Sequence, residues 1–595
     1  MAARRCDTLW GVWLALLIGG CAPHGLRGNT EAWQTHAERT NFVETGRYDE
    51  AVAFCQRLAQ ASPQALYTTF GVSGEGRALP LLVLSKDHTF SPAAARRLRK
   101  PLVLIQNCIH AGECEGKDAC YILARQMLIT GEHANLLDRV NILIIPIFNV
   151  DGHERFGPHG RVNQNGPQEM GWRVTATNLN LNRDFVKADA VEMQAWLRLW
   201  TTWQPDLLID THTTDGHEDQ YDVYYAVTDG PDVAEPVAAW MRDGLLPGVQ
   251  AALDAAGFLH LPYSFLRDAR DPGKGIVHVG VMSPRLSTGY AAACNRPAIL
   301  VETHATKPYG RRVWATHEFL RATLRIVGEQ PAGLHEALRA ADEQAVREHG
   351  ATHDGRVPLR FEQTDEARRI TYHGVVQRLR PSEVSGGEII EYFTTPLDVE
   401  TDFFDESRIT HSIAPPDAYL VPAQWRVVSE LLGLHGIRFT RLPAAQSYEV
   451  EAYRFEDVEF REAPNEGRQM PSFRAVAARE RREFPAGTVV VPLDQPRAKL
   501  AVNLLEPEAP DALVAWGFFN AIFEQKEYFE AYIFEPLAQQ MLAADPALAA
   551  EFEERLRTDE SFAQSPGRRL DFLYRRSPYY DRCHNVYPVA RRIRD

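Results

Sequence analysis

The chain has 595 residues, 45% of them apolar and 24% charged, with a formal net charge of -15 and a pI of about 5.8. That length exceeds what one hydrophobic core organises and predicts two to four domains. The acidic balance argues against nucleic acid as a partner, and the absence of low-complexity tracts gives the composition of an ordinary soluble protein.

Arg4-Arg5 precede the apolar stretch Leu9–Ile18, which is too short to span a bilayer and has the form of a signal-peptide core. It ends in Gly19-Gly20-Cys21, which resembles a bacterial lipoprotein cleavage box with Cys21 as the acylated residue; an ordinary secretory signal is the alternative. Residues 1–21 are therefore expected to be a lipoprotein-type leader. The mature chain is expected in the bacterial envelope or periplasm, lipid-anchored at Cys21. Beyond Cys6 and Cys21 six cysteines remain, and their pairing is not legible from their spacing. Cys108, Cys114 and Cys120 flank the metal-binding candidates below but are left out of the ligand set, because buried cysteine more often acts as a small hydrophobe.

Residues 22–100 contain a helical pattern at Tyr48–Leu58, then two strands around the loop Ser73–Gly76. From 101 to about 330, short apolar runs alternate with helical stretches such as Gly116–Thr130 and Ala190–Thr202, the last helix running from about Thr316 to Val327. The predicted class is α/β: a mixed, largely parallel sheet flanked by helices, with an additional α/β region at the C-terminus. Residues 22–330 are expected to form the catalytic domain and 331–410 a β-rich connection. Residues 411–595 form a C-terminal α/β region, opening with a strand–helix–strand unit from Ala418 and helical after Pro510. Its apolar and aromatic content, as in Trp516–Phe519, favours a structural cap over the catalytic unit; a substrate-access element and a partner-binding module are the alternatives. Nothing in the sequence sets the oligomeric state.

Four apolar runs end in residues suited to a zinc hydrolase. Leu102–Ile105 leads to His110 and Glu113, Ile142–Ile145 to Asn149–Gly152, Leu207–Asp210 to His212, and Ala298–Val301 to Glu302. Ligands of open α/β sheets bind beyond the carboxyl ends of the strands, so these tips are expected to converge. Two imidazoles and a carboxylate are a set that holds one catalytic zinc, leaving a fourth position open. Taken singly, His110 and His212 read equally well as structural histidines. The H-x-x-E spacing is weak alone, and Cys114 stands where a third ligand of an H-x-x-E-H motif would be. Glu302, at an apolar strand tip, has the setting of a general base or of a salt-bridged glutamate.

The combination His110-Ala-Gly-Glu113, Asn149–Gly152, Asn180-Leu-Asn182-Arg183-Asp184-Phe185, Asp210-Thr-His212 and Val301-Glu302 resembles the zinc carboxypeptidases of the carboxypeptidase A/B type over roughly residues 40–330. The resemblance implies a metallocarboxypeptidase that hydrolyses C-terminal amino acids from peptides. It implies one Zn²⁺ per chain on His110, Glu113 and His212, with Glu302 as base for the zinc-activated water. It implies that Arg183, assisted by Asn182, clamps the substrate's free carboxylate, and that Arg173 stabilises the oxyanion, with Arg161 as rival. The family places a mobile-loop tyrosine about twenty residues before the base; the candidate here, Tyr290, lies only twelve before it. Asn149–Gly152 becomes a structural turn. Two other readings stand beside this one: an amidase, deacylase or peptidoglycan stem-peptide peptidase on the same fold, and an inactive binding lipoprotein.

Overall fold

A computed structural model describes residues 31–593, apart from 215 and 352–354. The leader and Cys21 lie outside the described residues. Eight strands form the central sheet: β1 (Ala65–Val72), β2 (Ala78–Leu84), β3 (Leu102–Gln106), β4 (Asn141–Ile145), β5 (Leu207–Thr214), β6 (Val223–Val227), β7 (His260–Pro262) and β8 (Ala298–His304). Their order is β1-β2-β4-β3-β5-β8-β6-β7. The middle four, β4, β3, β5 and β8, run parallel, while β1, β2 and β6 meet their neighbours toward the centre antiparallel. This is the mixed, largely parallel α/β sheet expected.

The apolar runs are unbroken because both faces of the sheet are covered. Successive residues alternate between two cores, as the twofold period of a strand requires. Leu102, Leu104, Leu143, Ile145 and Leu208 face one core. Val103, Ile105, Ile142, Ile144 and Ile209 face the other. The second core is closed by the helices Tyr48–Ala61, Glu115–Arg125 and Tyr309–Glu329. Glu115–Arg125 continues as one wider turn, Gln126–Thr130, until Gly131 takes a left-handed φ of 77°.

Two expectations need correction on this side. The helix expected from Thr316 begins at Tyr309, because its first turns bury a charge that hides the apolar period. Arg312 is fully buried, donating to Glu115 and to the carbonyls of Asn165, Ala305, Lys307 and Gly166. Nor does Pro331 end the unit. It opens a second helix, Pro331–Val346, whose Leu334, Ala337, Leu338 and Ala341 join the same core. The β-rich connection assigned to 331–410 therefore starts only at Val357.

On the opposite face lie the helices Val191–Trp203 and Ser287–Ala293, and the remainder of the chain packs against them. A six-stranded antiparallel sheet contains Ala418–Val421, Val489–Pro492 and the long hairpin Gln446–Phe460/Pro471–Phe484. Its Tyr453, Phe455 and Val491, with Leu500, Leu504, Trp516 and Phe519, pack into the core that also holds Leu104, Trp196 and Trp200. A second hairpin, Arg368–Pro381/Glu388–Phe404, extends a small sheet begun by Ile276–His278 and Ser264–Leu266. The last helices, Ala531–Ala544, Pro546–Thr558 and Pro566–Tyr574, share a separate small core around Phe534, Phe562 and Phe572. Among the described residues no helix is long and apolar enough to cross a membrane, and no disulfide is formed.

Candidate metal centre and active site

The carboxyl ends of β3, β5 and β8 bring the predicted residues together. β3 gives way to a turn in which the Glu113 N–H donates to His110 O at 2.9 Å, so both side chains leave one short loop before the helix Glu115–Arg125 begins. His212 sits near the end of β5, and Glu302 is its register partner on β8. The Asn149–Gly152 motif is the structural turn expected: Asn149 Oδ1 accepts the Gly152 N–H at 3.0 Å, capping a short helix.

His110 Nδ1 lies 3.1 Å from Glu113 Oε1, and His212 Nδ1 lies 2.9 Å from Glu113 Oε2 and 3.2 Å from His110 Nδ1. One donor atom from each of the three residues falls within 4.8 Å of the other two, and all three side chains are buried. The donor chemistry fits zinc, which needs neutral imidazole and ionised carboxylate. Burial holds the His110 imidazole down to about 4, hence neutral. Glu113 is also penalised by burial, yet His110, Arg161 and His212 together keep its carboxyl well below the usual range. His212 goes the other way: burial opposes its proton, but Asp210 and Glu113 outweigh burial and raise it. His212 Nε2 is 2.9 Å from Asp210 Oδ2 but off the axis of an aligned hydrogen bond, so the contact acts as charge attraction.

Glu302 is 8% exposed, and burial, reinforced by Glu113 and Asp210 against the pull of His212, raises its carboxyl to about 8. It shares a cavity of about 190 Å³ with the three metal-ligand candidates, Arg161, Arg173, Asn182 and Arg183. Arg161 Nη2 is 2.8 Å from Glu113 Oε1 and Arg173 Nη1 is 3.5 Å from the same oxygen, so two guanidinium groups face the centre. Arg173 is the more exposed of the two. Asn182 Oδ1 accepts the Ser287 N–H at 3.3 Å, while Arg183 Nη1 donates to Asn182 O at 2.7 Å. A larger cavity of about 650 Å³ lies against segments 278–285 and 358–363 and shares Val279 and Met282 with the site. The titratable set that can do chemistry is in the smaller one.

Tyr290 is not part of this site. It is fully buried in the helix Ser287–Ala293, in edge-on and tilted contact with Trp196, Trp200 and Phe185, with its hydroxyl on His435. A helix facing the shared core replaces the mobile loop that the tyrosine assignment needs. Cys108, Cys114 and Cys120 are buried and outside the ligand group, with Cys114 Sγ near Ala111 O at 3.4 Å. His304 faces away from the ligands and reaches His217 O at 2.9 Å. Sequence reasoning missed Asn180 as a site member: its Oδ1 lies 3.2 Å from His110 Nε2 and accepts the Asn182 N–H at 2.9 Å. Its place two residues before Asn182 was the only available signal.

A family model described as zinc carboxypeptidase matches residues 51–215, a span holding His110, Glu113, Arg161, Arg173, Asn182, Arg183 and His212 but not Glu302. Carboxypeptidase 2 of Trichophyton rubrum is 23% identical over 487 residues, covering 78% of this chain and 82% of that protein. Carboxypeptidase 2 of Trichophyton tonsurans is 22% identical over 480 residues, with the same coverage. Among solved structures, carboxypeptidase A from Helicoverpa armigera aligns over 50% of this chain and 75% of its own, at 17% identity and a TM-score of 0.36. A metallo-carboxypeptidase from Burkholderia cenocepacia aligns over 47% and 69%, at 20% identity and a TM-score of 0.35. The chain is thus similar to zinc carboxypeptidases over residues 51–215 and to the two fungal carboxypeptidases over most of its length.

Proposed function

We propose that the protein is a zinc-dependent metallocarboxypeptidase that removes C-terminal amino acids from peptides, with His110, Glu113 and His212 holding one zinc ion. The observation that carries this reading is the single cavity in which those three side chains meet Glu302 and the Asn182-Arg183 pair. Zinc, when bound, supplies Lewis acidity, lowering the pKa of water and polarising a carbonyl oxygen. Glu302, once ionised, takes a proton from the attacking water and returns it to the departing amine; its raised carboxyl is suited to both halves of that transfer. Arg183 presents a rigid fork that matches a terminal carboxylate, while Asn182 is held in place by Ser287. Arg173, with Arg161 beside it, places fixed positive charge at the cavity wall, where negative charge developing on the carbonyl oxygen is stabilised.

The leader sequence extends the reading to location: an exported bacterial envelope protein acylated at Cys21. The decisive experiment assays the chelated and the zinc-reloaded protein on peptides with free and with amidated C-termini. Activity should vanish on chelation, return with zinc, and fall steeply on amidation. Equal cleavage of both peptides would reject the exopeptidase role, and activity without metal would reject the zinc centre.

A further inference from the structure

The C-terminal region touches the site at one tip. Between the strands Gln446–Phe460 and Pro471–Phe484, Asn465 and Arg468 pair through two backbone hydrogen bonds of 2.9 and 3.0 Å around Glu466-Gly467. Both turn residues have left-handed φ, 48° for Glu466 and 75° for Gly467, the pattern of a type I′ hairpin turn. Glycine suits its position, where an added Cβ would also crowd Leu179 at 3.2 Å. Glutamate does not suit the other. Left-handed backbone costs free energy for side chains other than Asn, Asp and Gly, so turn formation does not account for Glu466.

Its side chain does. Glu466 Oε2 accepts the Asn180 backbone N–H at 2.9 Å, and Asn180 is the residue whose Oδ1 faces His110 Nε2 and caps Asn182. The Glu466 charge also acts on Arg183. The tip is anchored on both sides of this contact. Arg468 forks Asp189 at 2.8 and 2.5 Å and lies 3.6 Å over the Phe518 ring, while Asn520 donates to Gln469 O at 2.8 Å. The segment Asn180–Asp189, which carries the carboxylate-binding pair, is thus held from outside the catalytic sheet.

We propose that Glu466 is a positioning residue for the metal centre and the carboxylate-binding pair, acting through Asn180, so that the C-terminal region completes the site as well as packing against the helices beside it. The proposal rests on reading that site as a carboxypeptidase centre. Strain held at a residue that reaches a functional segment is the expected signature of such a device.

The test uses the full chain with Glu466→Asn, which suits a left-handed turn but is too short to reach Asn180, and Glu466→Gln, which keeps an acceptor oxygen at the same reach. Zinc affinity is read by competition with a chromophoric chelator, beside kinetics on a C-terminally free peptide and thermal melting. Glu466→Asn should melt no lower than the native chain, yet lose about 10-fold in zinc affinity and gain about 10-fold in KM with a smaller change in kcat. Glu466→Gln should return both quantities to within about twofold. Native zinc affinity and KM in Glu466→Asn would overturn the proposal. So would losses that follow a lowered melting temperature and are not recovered by Glu466→Gln. If the native chain binds zinc but cleaves no free-terminus peptide, the carboxypeptidase reading fails alone, and the zinc affinities still decide the role of Glu466.

Discussion

The Tyr290 hydroxyl donates to His435 Nδ1 at 2.9 Å, because His435 Nε2 commits its proton to Val186 O at 3.0 Å. Both side chains are fully buried, one from a helix beside the site and the other from the C-terminal region. Tyr290→Phe leaves a buried acceptor without its donor and should cost about 1–3 kcal/mol of stability. Because Tyr290 does not line the catalytic cavity, KM and kcat should stay at native values. Denaturant melts beside steady-state kinetics separate the two effects; a large loss in kcat/KM with unchanged stability would return Tyr290 to the site.

The same pair sets an acid limit. Burial pulls the His435 imidazole down to about 4, below its ordinary 6.5. The folded state therefore resists a proton that the unfolded chain accepts. The contribution is fully present above about pH 6.5 and is lost as pH falls toward 4, an effect of order 3 kcal/mol. His317 behaves alike, burial lowering it to about 3 where it meets Gln126 at 2.6 Å. Denaturation curves from pH 8 to 4 should show stability falling through this window, with a shallower fall in His435→Gln.

Glu302→Gln removes the proposed proton acceptor while keeping the shape of the side chain. Zinc content should match the native protein, and kcat should fall about 10²–10⁴-fold. In the metal-free protein burial raises the Glu302 carboxyl to about 8, and zinc binding should lower it, so proton release on zinc loading near pH 7 checks that it stands beside the metal. Full turnover in the variant would remove the base assignment.

Gly116 opens the helix behind Glu113, and a Cβ there would stand 2.0 Å from Thr211 Oγ1 and 2.3 Å from Asn107 Oδ1. These two atoms hydrogen-bond each other at 2.7 Å between β3 and β5. Gly116→Ala should therefore destabilise by about 1–3 kcal/mol, despite alanine's better helix propensity. Weakened zinc binding should accompany that loss, since Glu113 and His212 lie on the displaced elements; a melt as stable as the native chain would contradict the packing.

The parallel strands were legible because burial on both faces writes an unbroken apolar run, as in Ile142–Ile145. The metal-ligand candidates were legible because His110, Glu113 and His212 each follow such a run. Arg312 hid the start of its helix, since a fully buried arginine reads as a surface residue until its partners are known. Arg161 was named only as a rival to Arg173 and Asn180 only as part of a motif, because their partners, like that of Glu466, lie 48, 70 and 286 residues away and such contacts leave no local pattern. Tyr290 failed for a related reason: distance from Glu302 along the chain does not reveal whether the intervening residues form a loop or a packed helix.

The core that holds Leu104 and Trp196 also holds Phe455, Trp516 and Tyr587. A chain cut near residue 330 would strip the helices Val191–Trp203 and Ser287–Ala293 of the apolar residues packed against them, an exposed apolar surface prone to self-association. Proteolysis should yield no soluble catalytic fragment, and loss of the metal centre should coincide with release of the C-terminal region. The boundary of the unit that folds together lies well beyond the last residue that lines the candidate site.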